Sequence, residues 1–214
     1  MLTRERIAWT TLALALWGMA YWGLTPANGL VIDGWGLQVL LAAGACVALR
    51  GRPELKVDLR LGSARESIRL SARVMALCAS LLTAVGIGMW LWQRNGGALP
   101  VMQPTDVRSF DAVPAFVLRA IVLAPIIEEG LHRGVLQPLL RAGMGPKAAI
   151  LLSGPLFWIL HWASWGGVSP PNHLLAGWIL AWAWERSNGL LAPILLHAAG
   201  NTLVLALNLY WLAN

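Results

Sequence analysis

Ala124-Pro125-Ile126-Ile127-Glu128-Glu129-Gly130-Leu131-His132-Arg133-Gly134 puts three charged side chains and a histidine in the middle of an apolar run, residues 113–140. A charge at the centre of a bilayer costs at least a few kcal/mol unless it is paired or reaches water, so such residues mark either an ion pair or a working site. Helical spacing sorts them. Glu129 and Arg133 are four residues apart and share a face, as do Glu128 and His132. The two glutamates point about 100° apart and therefore take different roles. Arg133 holds Glu129 ionised, and Glu128 is left to serve as a general base. Pro125 frees a carbonyl one turn earlier, that of Ile121, and bends the helix near the site. Gly130 and Gly134 form a small-xxx-small pair suited to close helix approach.

The rest of the chain makes a membrane the right frame for this stretch. Of its 214 residues, 57% are hydrophobic and 12% charged, about half the charge of a soluble domain. Seven apolar segments can be read, at 7–24, 30–49, 70–92, 113–140, 148–165, 173–184 and 190–212. Most reach the roughly 20 residues needed to cross hydrocarbon, where each must be a helix to satisfy its backbone. The expectation is an all-α, polytopic integral membrane protein of about seven transmembrane helices. It forms a single membrane domain over 1–214, with three spans and a basic loop in 1–112 and the motif-bearing helices in 113–214. The first segment reads as an uncleaved helix, because its apolar stretch is long and no small-x-small cleavage site follows.

The net charge of +6 sorts by loop. One side of the membrane collects Arg4, Arg6, the seven basic residues of 50–73, Arg141, Lys147 and Arg186, and the other only Arg94 and Arg108. The positive-inside rule then places the N-terminus in the cytoplasm and the C-terminus outside; the expected location is a bacterial inner membrane. The basic excess reads as topology, so nucleic acid is not expected as a partner and the lipid bilayer is. Residues 50–73 are either an amphipathic helix on anionic lipid or a plain cytoplasmic loop. Cys46 and Cys78 lie inside apolar runs, form no CxxC, and read as packing residues.

Two further helices carry polar groups. Segment 148–165 holds Phe157-x-x-x-His161, and segment 190–212 holds His197-x-x-x-Asn201 on one helical face beside Gly200. Counting at ~1.5 Å per residue puts Glu128, His161 and Asn201 each ~20 Å from the basic side, with His197 at ~14 Å. Three segments thus bring polar groups to similar depth, where they can converge. A carboxylate base, two histidines and an amide donor can activate a water and hold an oxyanion, which is what peptide hydrolysis needs. Ser153, Ser164 and the cysteines are not placed to be nucleophiles. Zinc held by Glu128, His161 and His197 is the near rival, although the sequence has no HExxH. A proton-coupled transporter is a second rival, disfavoured by the odd helix count and the lack of a repeat. A catalytically silent immunity or scaffold protein is a third.

Glu128-Glu129-x-x-x-Arg133, Phe157-x-x-x-His161 and His197-x-x-x-Asn201 resemble the three core motifs of the CAAX protease and bacteriocin-processing (Abi) family of intramembrane endopeptidases. The segment from Ala176-Gly177 through Trp184 to His197 resembles that family's approach to its last motif. The resemblance implies a glutamic-type protease without a metal cofactor, acting on a membrane-associated protein or peptide. Glu128 with His161 would activate the water, His197 and Asn201 would hold the oxyanion, and Glu129 with Arg133 would support the site. His132 falls at a variable position of the motif and reads as packing. His173, near the outer interface, reads as non-catalytic. Eukaryotic-type relatives cut prenylated CAAX tails at the cytosolic face. The topology here puts the site in the outer half, which suits a C-terminal sorting tail or a peptide leader.

Overall fold

The computed structural model describes residues 58–97, 109–164 and 171–213, and all regular structure among them is helical. The expected spans at 7–24 and 30–49 lie outside the described residues, as do Cys46 and the basic residues before Asp58. Helix α1 covers Ala64–Arg94. Helix α2 runs over Phe110–Met144, α3 over Pro146–Ser164, α4 over Asn172–Ser187 and α5 over Leu191–Ala213. Three of these, α1, α2 and Leu191–Tyr210 of α5, are long and apolar enough to cross a membrane. Helices α3 and α4 are shorter in apolar length, so the described residues do not establish a count of seven. The chain is an integral membrane protein.

Local chemistry sets the ends of these helices. Ser63 caps α1, its hydroxyl accepting from the Glu66 N–H at 3.4 Å, which satisfies an amide that has no partner inside the helix. The basic stretch is therefore neither wholly loop nor a separate surface helix: Arg65, Arg69 and Arg73 ride on the opening turns of a spanning helix. Gly145 ends α2 with a φ of +84°, and Pro146 opens α3 at once, the usual division of labour between these residues.

Residues 58–62 form an extended strap across the bundle. The first amides of α5 lack partners inside the helix, and the strap supplies them: Leu190 N–H donates to the Arg60 carbonyl at 2.8 Å and Leu191 N–H to that of Leu61 at 3.1 Å. Gly62 and Gly189 cross here, and a Cβ on Gly189 would fall on the backbone of Gly62 and Leu61. Arg60 grips Asp58 at 2.6 Å and reaches Asn188 at 3.3 Å, and this contact holds the Asp58 carboxyl below its ordinary value.

Helices α3 and α4 pack most closely. A Cβ on Gly177 would come within 2.8 Å of the Gly154 backbone and of Phe157, so small residues set that distance. The close approach expected at Gly130 is absent: a Cβ there would meet nothing within 4 Å. Gly134 does admit a close neighbour, but it is Leu59 of the strap rather than another helix. Cys78 is exposed on α1, which corrects its reading as a packing residue among the described residues.

Candidate active site

Helix α2 is not a uniform α-helix. Its hydrogen bonding widens to an i→i+5 pattern at Val117–Leu123 and again at His132–Leu136. Each widened turn runs into a proline, Pro125 or Pro138, in the second position of the α-helical segment that follows. Between them lies Ala124–Leu131, the eight-residue segment that carries both glutamates.

Glu129 and Arg133 are fully buried and paired, with Arg133 Nε 3.1 Å from Glu129 Oε2 and Nη1 donating to Oε1 at 3.2 Å. Arg133 also donates from Nη2 to the Gly177 carbonyl on α4 at 3.0 Å. Its guanidinium carbon sits 4.9 Å from the Phe157 ring centre on α3, within cation–π range. Glu129 has a second partner that spacing within α2 does not reveal. His197 Nδ1 on α5 lies 2.8 Å from Glu129 Oε1, and with the carboxylate accepting, that nitrogen carries the proton. One buried carboxylate thus joins the cation of its own helix to the histidine of the last.

Glu128 faces elsewhere, as the 100° offset requires. Its Oε2 lies 3.4 Å from His161 Nε2 on α3. His161 Nδ1 donates to the Phe157 carbonyl at 2.8 Å, which turns Nε2 towards the glutamate. Such contacts are commonly long without substrate. His173, expected to be non-catalytic, lies beside this pair. Its ring stacks on that of His161, with centroids 4.5 Å apart and planes 23° apart. His132 packs on Phe157 at 4.9 Å. The four histidine rings all lie within 6.4 Å of the Phe157 ring centre.

The expected oxyanion donors, His197 and Asn201, share α5 but engage different partners. Asn201 Nδ2 donates to the Ala120 carbonyl in α2 at 2.6 Å. Gly200 beside it opens onto free space. Gln137 escaped the sequence reading, and Arg141 was read only as a loop charge. Gln137, fully buried, donates to the Ala181 carbonyl at 3.0 Å and reaches Glu185 at 3.4 Å. Arg141 lies 3.5 Å from Glu185. Arg133, Gln137 and Arg141 recur every four residues on α2 and meet Gly177, Ala181 and Glu185 at the same interval on α4. The i+4 rhythm on α2 is the signal that was available, but two of the three acceptors on α4 are backbone carbonyls, which no side chain announces.

Zinc held by Glu128, His161 and His197 would need the three to converge. Among the described residues no three His, Cys, Asp or Glu side chains do so, and His197 is committed to Glu129 rather than turned to Glu128. The donor set as placed does not fit the ion.

Residues 110–203 match the family model described as Type II CAAX prenyl endopeptidase Rce1-like. This segment, 94 of the 214 residues, is similar to the CAAX-protease family. The family domain begins with α2 and ends within α5, so it takes in every residue of the cluster and leaves out α1 and the strap. The family is one of endopeptidases, which supports peptidase activity for this chain. No curated protein and no solved structure matches the chain.

Proposed function

We propose that the protein hydrolyses a peptide bond of a membrane-associated substrate by glutamate-activated water attack. The observation that carries this is the pair Glu128–His161, 3.4 Å apart, inside a segment similar to the CAAX-protease family and beside a second glutamate already paired with Arg133 and His197. In this reading Glu129 is structural and Glu128 is the free base. Water held between Glu128 and His161 attacks the scissile carbonyl carbon while Glu128 takes its proton. The carbonyl oxygen becomes an oxyanion. The His197 ring, held in place by Glu129, lies on the side of the oxyanion, and the second amide hydrogen of Asn201 is offered to it. Collapse of the tetrahedral intermediate breaks the C–N bond, and the proton held on Glu128 passes to the leaving amine. No step requires a metal.

The substrate class is a C-terminal sorting tail, a CAAX-like tail or a peptide leader, met in a bacterial inner membrane with the N-terminus of the enzyme in the cytoplasm. The test is in-cell cleavage of candidate membrane-anchored substrates by wild type, Glu128→Gln and His161→Ala, read by mass spectrometry of the membrane fraction. A defined product made by wild type and lost in both variants is expected. Equal cleavage by all three would end the hydrolytic reading and leave the polar cluster a structural or transport feature. Loss of activity with EDTA and rescue by zinc would move the reading to the metal-dependent alternative.

A further inference from the structure

The first widened turn of α2 leaves a carbonyl without a donor, and its identity follows from the hydrogen-bond register. In an ordinary α-helix Pro125 would orphan the carbonyl of Ile121, four residues back. Here the Ala124 N–H reaches five residues back, to the Arg119 carbonyl. The next donor in that register would be residue 125, and proline has no N–H. The orphan therefore moves one residue, to Ala120. Asn201 donates to that oxygen, at 2.6 Å. At the second break the Gln137 N–H reaches five back to His132, so Pro138 leaves the Arg133 carbonyl without its in-register donor, and the next carbonyl, that of Gly134, accepts from the Asp58 N–H of the strap at 2.9 Å. The segment bearing both glutamates is thus bracketed by two proline breaks, and at the first the orphaned carbonyl itself is closed from outside the helix.

We infer that Asn201 is a positioning residue that stands in for the N–H missing at Pro125, fixing the widened turn and with it the direction in which Glu128 and Glu129 enter the site. In the bilayer interior no water is at hand to satisfy Ala120, so without Asn201 the turn must re-register or open. Either change rotates a glutamate two turns downstream, since one residue of register is about 100°. The amide has two hydrogens, so this role coexists with a donor role towards an oxyanion. The inference rests on the hydrolytic reading only for the purpose of the site; the hydrogen bond itself does not depend on it.

The test is amide hydrogen exchange by mass spectrometry on the full chain in nanodiscs, comparing wild type, Asn201→Ala and the size-matched Asn201→Leu, each also with Pro125→Ala. Alanine at 125 restores the backbone donor. With Pro125 in place, both Asn201 variants should exchange about tenfold faster across 117–131, with α1 unchanged as the internal reference. With Pro125→Ala the acceleration should fall below about threefold. Should the Asn201 variants fail to accumulate, recovery by Pro125→Ala is the expected result. Wild-type exchange in Asn201→Leu, or no relief by Pro125→Ala in either exchange or accumulation, overturns the inference. Where wild type yields a Glu128-dependent product, Asn201→Ala should lose it with or without Pro125→Ala, because the oxyanion donor is gone in both, while the exchange difference between them reports the turn alone. A wild type that yields none fails the hydrolytic reading and leaves the exchange result standing.

Discussion

Helices α1 and α2 are both long, apolar and able to cross a membrane, yet they are built in opposite senses. Helix α1 keeps one unbroken register and buries only Ser67 and Ser71, with Ser71 donating to the Ala192 carbonyl of α5. Its large side chains face out, Leu77 and Leu81 among them, each more than half exposed. Helix α2 breaks register twice and buries Glu129, Arg133 and Gln137. Hydrophobicity cannot drive helices together inside a bilayer, because lipid is as apolar as leucine. Association falls to small residues and hydrogen bonds. Helix α1 uses the minimum of both. Helix α2 concentrates them, and its breaks aim polar groups at three other helices.

The contrast is best broken at the ion pair. Glu129→Ala or Arg133→Met alone leaves a buried charge without its partner, at a cost of about 3–5 kcal/mol. Either variant should be lost from the membrane fraction or unfold well below wild type in detergent, and the double variant Glu129→Leu/Arg133→Met should recover much of the loss. Next in size is Gly177→Val at the α3–α4 contact. Its Cβ would meet the Gly154 backbone at 2.8 Å, and overpacking of this kind costs about 1–3 kcal/mol, seen as a lower unfolding temperature.

Glu128→Gln sharpens the comparison within α2. The residue next to the most fragile position should tolerate this change with less than about 1 kcal/mol lost, by the same thermal measurement, while the cleavage product disappears. Stability and activity would then be assigned to adjacent glutamates. A milder effect belongs to the strap. The Asp58 carboxyl is held below its ordinary value by Arg60, so the pair contributes above about pH 4 and loses that contribution as the pH falls further. Protection of 58–62 relative to the intrinsic exchange rate at each pH should fall in acid in wild type and lose that dependence in Asp58→Asn. The smallest effect is expected on α1, where Leu81→Ala on its exposed face should stay within about 0.5 kcal/mol of wild type.

Much of this was legible beforehand. An apolar run interrupted by Glu128, Glu129 and Arg133 leaves few solutions in a bilayer: charges must pair at helical spacing, and Glu129 with Arg133 does. The 100° offset between adjacent glutamates separates their partners, and similar depth brings His161 and Asn201 to the level of Glu128, with His197 somewhat shallower. Each of these follows from 3.6 residues per turn and the penalty on charge in hydrocarbon. Periodicity stops at the helix surface. It cannot say that His197 takes Glu129, that His173 stacks on His161 or that Gly177, not Gly130, sets a close approach, because those depend on how neighbouring helices rotate against one another. Nor can it choose which carbonyl a proline orphans, since that turns on whether the helix runs in the i→i+4 or i→i+5 register. Proline at 125 guarantees that one acceptor goes without a backbone donor. Only the packing of α5 against α2 makes that acceptor Ala120 and brings Asn201 to it.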